Sequence, residues 1–367
     1  MPGVCYDLCP TVGSTGNCRI LVERHVQCRL GSTLENEAMS VFVGDIGGTK
    51  TVLAVAETDA GGIRLIGERR YASRDFASLE EVVARFSAET GRTCETAAFA
   101  VAGPVQDDHS EITNLAWAAA NARHLERALG LRAVRLLNDL EATAWGIAAL
   151  GPADLEVLHP GEPNAPGNAC VAAAGTGLGE AGLYWDGVRH RPFATQGGHA
   201  DFAPRNDREL ALLLRLQGRY GYVSWERLVS GMGIADIYDF VRERHGPGSS
   251  DPVREVAVEA RPAAITAAAT DGSCPVCAET MRLFMDFYGR ETGNLALKHM
   301  AVGGVYLGGG IAPKNLDLLR QGPFLEAFFD KGPMTALMRR MPVKVILEQR
   351  APLFGAARFA TTDQGAV

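Results

Sequence analysis

The stretch Val41-Phe42-Val43-Gly44-Asp45-Ile46-Gly47-Gly48-Thr49-Lys50-Thr51-Val52-Leu53-Ala54-Val55-Ala56 decides how the rest of the chain is read. A β-branched and aromatic run halts at Gly44-Asp45, passes a Gly-Gly pair and resumes as a second apolar run, which predicts strand, glycine turn, strand. A third strand is expected at 64–66. Helical spacing through Leu79, Val82, Val83 and Phe86 predicts a helix over 79–90. An apolar strand at 97–101 runs into Gly103-Pro104, helical signals follow at 121–129, and a strand at 134–137 ends on Asn138-Asp139 before an apolar helix over 140–150.

The second half repeats the theme. A buried strand at 169–174 meets Gly175-Thr176-Gly177-Leu178-Gly179 and returns as a strand at 181–184. Helices are expected at 207–218, 224–244 and 278–300, and a last apolar strand at 303–307 enters Gly308-Gly309-Gly310. Loops are expected at 151–168 and around His245-Gly246-Pro247-Gly248-Ser249-Ser250. Two strand–glycine–strand hairpins, one per half, imply an α/β architecture duplicated in topology rather than in sequence. Two such lobes facing one cleft form a phosphate clamp, because glycine turns let backbone N–H groups approach anionic oxygens.

Composition narrows the classes. The chain has 367 residues, 47% hydrophobic and 22% charged, which suits a two-domain globular protein. A net charge of -7 without a concentrated basic face argues against a nucleic-acid partner. No window approaches the length of a membrane span. Residues 1–39 hold four of the eight cysteines (Cys5, Cys9, Cys18, Cys28) and carry no sustained period, so they are expected to be a disordered extension, with Met39 a second start. Cys5 and Cys9 lack a second pair for a zinc finger. The cysteines suit a reducing cytoplasm better than a disulfide framework. The expected division is a small α/β domain over 40–149 plus 343–367 and a large one over 150–342.

Each motif has a bland reading beside the chemical one. In 44–51, Gly47 and Gly48 permit close approach, Thr49 offers a hydroxyl, and Asp45 at a strand end can hold Mg²⁺; a plain turn needs only the glycines. The 173–179 run suits β- and γ-phosphates, yet it is not a Walker A loop because no Lys-Ser or Lys-Thr follows. Gly308 to Gly310 give room for a flat adenosine, or simply turn a strand into a helix. Asn138 and Asp139 are favoured helix N-caps, and the same helix N-terminus favours an ionised carboxylate able to take a hydroxyl proton. Gln196, His199 and Glu226 flank short Gly-rich backbone, which suits a polyol. The Cys274-Pro275-Val276-Cys277 motif is read as a helix start before a metal or redox site.

Taken in order, these motifs resemble the bacterial-type glucokinase family of the hexokinase–actin superfamily, from about residue 41 to 359. Thr113-Asn114 with Trp117, Asp201-Phe202-Ala203-Pro204, Ser230-Gly231 and the CxxC also have counterparts there. The resemblance implies a two-lobed, actin-like ATPase fold with duplicated ribonuclease H-like lobes around a central cleft. It further implies ATP-dependent phosphorylation of D-glucose to glucose 6-phosphate, with Mg²⁺, in a cytoplasmic homodimer serving glycolysis. By the match, Asp139 is the catalytic base, and Asn114, Asn138, Gln196, His199 and Glu226 bind sugar. Gly44, Asp45, Ile46, Gly47, Gly48 and Thr49 with Gly175, Thr176 and Gly177 face phosphates, Asp45 holds the metal, and Gly308, Gly309 and Gly310 face adenosine. The family usually has Glu where this chain has Gln196. ROK sugar kinases and repressors usually carry a cysteine-rich zinc motif after the equivalent histidine, and no Cys lies between His199 and Cys274. Two rivals remain: a kinase for another hexose or hexosamine, and a catalytically silent sugar sensor.

Overall fold

The computed structural model describes residues 39–59, 61–112, 115–245 and 251–362. The expectations for the extension, for Asn114 and for the loop at 246–250 lie outside the described residues. The first sheet contains β1 (Met39–Ile46), β2 (Lys50–Asp59), β3 (Gly62–Ala72) and β4 (Thr96–Val101). A short ribbon, β5 (His109–Ser110) with β6 (Ala120–Asn121), precedes its last strand, β7 (Ala133–Asn138). The order is β3-β2-β1-β4-β7, antiparallel through β1 to β3 and parallel through β1, β4 and β7.

The second sheet contains β8 (Leu155–His159), β9 (Ala169–Ala174), β10 (Leu178–Trp185), β11 (His190–Ala194), β12 (Gly304–Gly308) and β13 (Val343–Ile346). Its order, β11-β10-β9-β12-β13, repeats the first sheet strand for strand and direction for direction, with β8 added antiparallel at the edge. The duplication expected from the two glycine hairpins is therefore present as topology.

Period-two alternation gives each sheet two apolar faces. In β1, Phe42 and Ile46 meet the outer helices α1 (Leu79–Thr90) and α2 (Ala122–Leu129) through Val82, Phe86 and Leu125. Val41 and Val43 face the other way, onto α3 (Asp139–Gly146) and the C-terminal helix. In β9, Cys170 and Ala172 join the large core of the second half. Ala169 and Val171 instead meet Ala144 of α3. The large core is built by α4 (Asp207–Tyr220), α5 (Gly231–His245), α6 (Arg261–Thr270) and α7 (Pro275–His299) with α8 (Leu316–Arg320), α9 (Pro323–Phe329) and α10 (Thr335–Met338). The last helix, α11 (Ala351–Thr361), lies on the first sheet through Leu353, Ala356 and Ala357.

Three expectations are corrected. The loop at 151–168 includes β8, which pairs with β13. The helix at 224–244 is a 3₁₀ turn, Trp225–Arg227, followed by α5, because the Gly231 N–H leaves to bond the Gly175 carbonyl at 2.9 Å. The segment 343–367 divides, since β13 belongs to the second sheet while α11 packs on the first. The structure also joins Cys274 and Cys277 in a disulfide at the start of α7, where Cys274 is the N-cap. Among the described residues no helix is long and apolar enough to cross a membrane.

Helices α3 and α11 cross backbone to backbone. A Cβ on Gly146 would overlap the Ala351 carbonyl, and one on Gly355 would overlap the Ala142 carbonyl. Trp145 and Phe359 close the crossing edge to face at 5.8 Å. Gly355→Ala should therefore cost about 1–3 kcal/mol as an overpacked contact. A denaturant midpoint equal to that of the parent protein would show that the helices part freely.

Candidate active site

Strands β1, β4 and β7 run parallel, so their carboxyl ends lie along one edge of the first sheet. That edge carries Asp45, two residues before Gly47, and Asp139, the first residue of α3. Asn138 caps α3: its Oδ1 accepts from the N–H groups of Leu140 at 3.0 Å and Glu141 at 3.2 Å. Its Nδ2 donates to the Gly103 carbonyl at 3.0 Å and to Asp139 Oδ1 at 2.9 Å. The Leu140 N–H also donates to Asp139 Oδ1, at 2.9 Å. Burial first, and then the nearby charge of Asp45, push the Asp139 carboxyl up to about 7, against the opposing pull of these donors. Burial likewise raises Asp45, partly offset by Lys50. A carboxyl held near neutrality by burial and by the charge of a neighbouring carboxylate is a common acid–base arrangement.

The hairpin turn beside Asp45 is held from outside. Gly47 N–H donates to the Lys50 carbonyl at 3.0 Å, and the Ser73 hydroxyl donates to the Gly47 carbonyl at 2.7 Å. Gly47, Gly48 and Thr49 thus sit at a fixed, partly open turn. Gly44 and Ile46 do something else. Both are buried, Ile46 completely, and a Cβ on Gly44 would collide with Leu53 and Phe99. Both positions pack the sheet, and their backbones pair with β2 and β4.

In the second half, three glycine segments converge. Gly175 N–H closes the turn onto the Gly177 carbonyl at 2.8 Å, Gly231 N–H reaches Gly175, and the Ile311 N–H after Gly308-Gly309-Gly310 reaches the Ala174 carbonyl at 3.1 Å. The N-terminus of α5 therefore opens beside the 175–177 turn. Helix α3 closes on the same hairpin, with the Leu140 side chain filling the space a Cβ on Gly179 would need.

The segments 197–202 and 223–226 are clipped together. Phe202 N–H bonds the Val223 carbonyl at 3.0 Å and Trp225 N–H bonds the Ala200 carbonyl at 2.9 Å. This sets His199 Nδ1 3.9 Å from Glu226 Oε1. Glu226 Oε2 accepts from the Leu178 N–H at 3.0 Å, tying the pair to the glycine turn. Gln196 heads the 3₁₀ turn Gly197–His199 and is exposed, with no capping bond of its own. Buried Arg290 pins the far end: it bonds Glu209 at 2.7 Å and the Ala203 carbonyl at 2.6 Å, packed among Phe202, Trp225 and Phe287.

The structure thus brings Gln196, His199 and Glu226 to one loop pair, and Asp45, Asn138 and Asp139 to one sheet edge. Asn138 has all of its polar capacity engaged internally, so its side chain orients Asp139 rather than offering free donors. Ser73, Gly103 and Arg290 escaped the sequence reading, because each acts through a partner at least 26 residues away. Asp251, Cys274 and Cys277 also bring metal-capable atoms together, with both sulfurs in the disulfide.

Two sheets of one topology, each presenting a glycine hairpin beside acidic and polar side chains, define a sugar kinase of the actin-like class. The chain belongs to the glucokinase family, whose profile matches residues 42–363. A glucokinase of Nostoc punctiforme is 40% identical, over 86% of this chain and 97% of its own length. One from Synechocystis is 39% identical, over 87% and 97%. The crystal structure of a glucokinase from an Antarctic psychrotroph superposes with a TM-score of 0.74 at 29% identity, covering 87% of this chain and 98% of that one.

Asn138→Ala should lower kcat far more than it raises KM for the sugar. It removes a cap worth about 0.5–2 kcal/mol and frees the carboxylate that the amide orients. A large rise in KM with kcat preserved would make Asn138 a sugar ligand instead.

Proposed function

We propose that this chain transfers the γ-phosphoryl group of ATP to the 6-hydroxyl of D-glucose with Asp139 as general base. The observation that carries the reading is the Asp139 carboxyl, oriented by Asn138 and Leu140 and held near neutral pH by burial and Asp45. A base poised there takes the hydroxyl proton as the oxygen attacks, and returns it to solvent after the phosphoryl group has moved. Phosphoryl transfer otherwise asks mainly for position and charge stabilisation. Gly47, Gly48 and Thr49 from one lobe, and Gly175, Thr176 and Gly177 from the other, offer backbone N–H groups and hydroxyls to the phosphates. Gly308 to Gly310 and the start of α5 take the adenosine.

His199 and Glu226 bind ring hydroxyls, with Gln196 beside them. Asp45 fits as the holder of Mg²⁺, since its burial and its acidic neighbour leave a charge that a cation offsets. When bound, that ion neutralises charge on the transferring oxygens. The small domain over 40–149 closes with the large one over the substrates. Family membership supports a cytoplasmic homodimer acting in the first step of glucose use.

Asp139→Asn should bind glucose but lose about 10²–10⁴-fold in turnover. In the parent protein kcat/KM should fall tenfold per unit below about pH 7, where the base becomes protonated. The stability sign runs the other way. A carboxyl raised in the fold costs stability as pH climbs from its ordinary range to about 7, so Asp139→Asn should be the more stable protein at pH 8. A variant within threefold of parent kcat removes Asp139 from the mechanism.

Gln196 supports a looser choice of sugar. A carboxylate accepts from two hydroxyls, whereas the amide replaces one acceptor with a donor, and a mispaired group in a closed site costs about 1–3 kcal/mol. Gln196→Glu should raise kcat/KM for glucose over mannose, fructose and glucosamine by roughly tenfold or more. Ratios unchanged within about twofold would take residue 196 out of sugar recognition.

A further inference from the structure

We propose that Glu180 and Glu291 form a buried acid–carboxylate pair that positions the sugar-binding turn, so that loss of their shared proton weakens sugar binding. The proposal rests on reading residues 196–199 as the sugar side of the site. Glu180 points inward from β10 and Glu291 from α7, and both are 1% exposed. Among the described residues no cation is bonded to either. Glu180 Oε1 and Glu291 Oε1 have no other hydrogen-bond partner, while Glu291 Oε2 accepts from Asn294 Nδ2 at 2.8 Å. Two carboxyls placed so deep and so near satisfy each other only if one carries a proton and donates it.

The pair lies directly under the turn. The Glu180 carboxyl occupies the space that a Cβ on Gly197 would fill, and the Thr195 hydroxyl donates to the Glu180 carbonyl at 2.9 Å. Glu180 therefore supports the turn at Gly197, one residue from Gln196 and two from His199. Its partner is the residue after Arg290, which pins the exit of the same loop at Ala203. Adjacent residues of one helix thus hold both ends of the sugar loop.

Burial first, then the Glu291 charge, push Glu180 up to about 8, with Lys298 opposing. Glu291 is raised by its own burial, against Asn294, Lys298 and Lys331. The remaining groups facing the pair are the Cys170 thiol of β9 and the Tyr288 hydroxyl of α7, each raised mainly by burial. Lys331, bonded to the Arg290 carbonyl at 2.8 Å and to Asn294 Oδ1 at 2.6 Å, is lowered to about 8 by burial and titrates in the same window. Two charges in this space repel, and the Glu180 carboxylate that bears one of them packs directly against Gly197 of the Gly197–His199 turn.

The test measures KM for glucose from pH 7 to 9 in the parent protein and in Glu180→Gln. The amide donates the bond that the acid donates and cannot ionise. In the parent, KM should rise up to about tenfold as the protonated fraction falls, with kcat moving less. Glu180→Gln should hold one KM across that range. Calorimetry of glucose binding at pH 8 in two buffers of different ionisation enthalpy should show proton uptake in the parent and none in the variant. A parent KM flat from pH 7 to 9 overturns the proposal. So does a variant that keeps the parental rise, which assigns the titration to Lys331 or elsewhere. Those failures leave glucose turnover intact; absence of glucose turnover at every pH sinks the underlying reading, and this inference with it.

Discussion

The backbone contact between α3 and α11 at Gly146 and Gly355 fixes a helix on which both halves of the molecule bear. Helix α3 is short, and isolated helices of eight residues do not hold their shape in water. It persists because it is enclosed: Ala142 and Trp145 face the first sheet, and Ala144 faces the second. Its first residue is Asp139. A carboxylate at the end of a helix clamped on three sides keeps its place relative to both glycine hairpins, which a residue on a surface loop does not.

That placement has an electrostatic cost. Asp45 and Asp139 share a sheet edge, each is raised by burial, and the Asp45 charge raises Asp139 further. Nothing in the fold of the protein alone needs them there. The N–H of Leu140 and the amide of Asn138 pull Asp139 the other way without cancelling the effect. Such a conflict is characteristic of a site whose charges are completed by what binds to it. Surface pairs such as Arg340 with Glu162 show the contrast: both partners are exposed and each is shifted toward its charged form by the other.

Much of the fold was legible because apolar alternation and glycine turns are local signals. The β1–β2 hairpin, α1, β9 and the start of α7 at Cys274 follow from neighbours in sequence. Strand β8 was not legible: Leu155–His159 is short, carries Glu and His, and lies among Pro and Gly, and only its pairing with β13 makes it a strand. The break before α5 depends on Gly175, more than fifty residues earlier. At the site, motif order located the loops but could not separate the roles within them. Gly44 and Ile46 stand in the same motif as Gly47, and only packing shows that they serve the core. Asn138 stands in the expected motif, and its saturated hydrogen bonds make it an orienting group. Glu180 gave no signal at all, since a Glu inside an apolar strand reads as a solvent-facing position until the helix covering it is known.

Helix α7 answers α3 from the other side of the second sheet. It crosses the large core for 25 residues and contributes Arg290 and Glu291 in succession. Consecutive residues on a helix point about 100° apart, so one can reach the 203 end of the loop while the other reaches β10. Strand β10 then carries the link onward. Its first residue, Leu178, donates its N–H to Glu226, its second, Gly179, receives Leu140 of α3, and its third is Glu180. Three successive positions of one strand therefore touch Glu226, helix α3 and the buried Glu180–Glu291 pair. Adjacent positions of a strand stand only about 3.3 Å apart along it, so the three contacts are close neighbours on one rigid element. The 175–177 turn, the 195–203 loop and the start of α3 are thus joined through this strand.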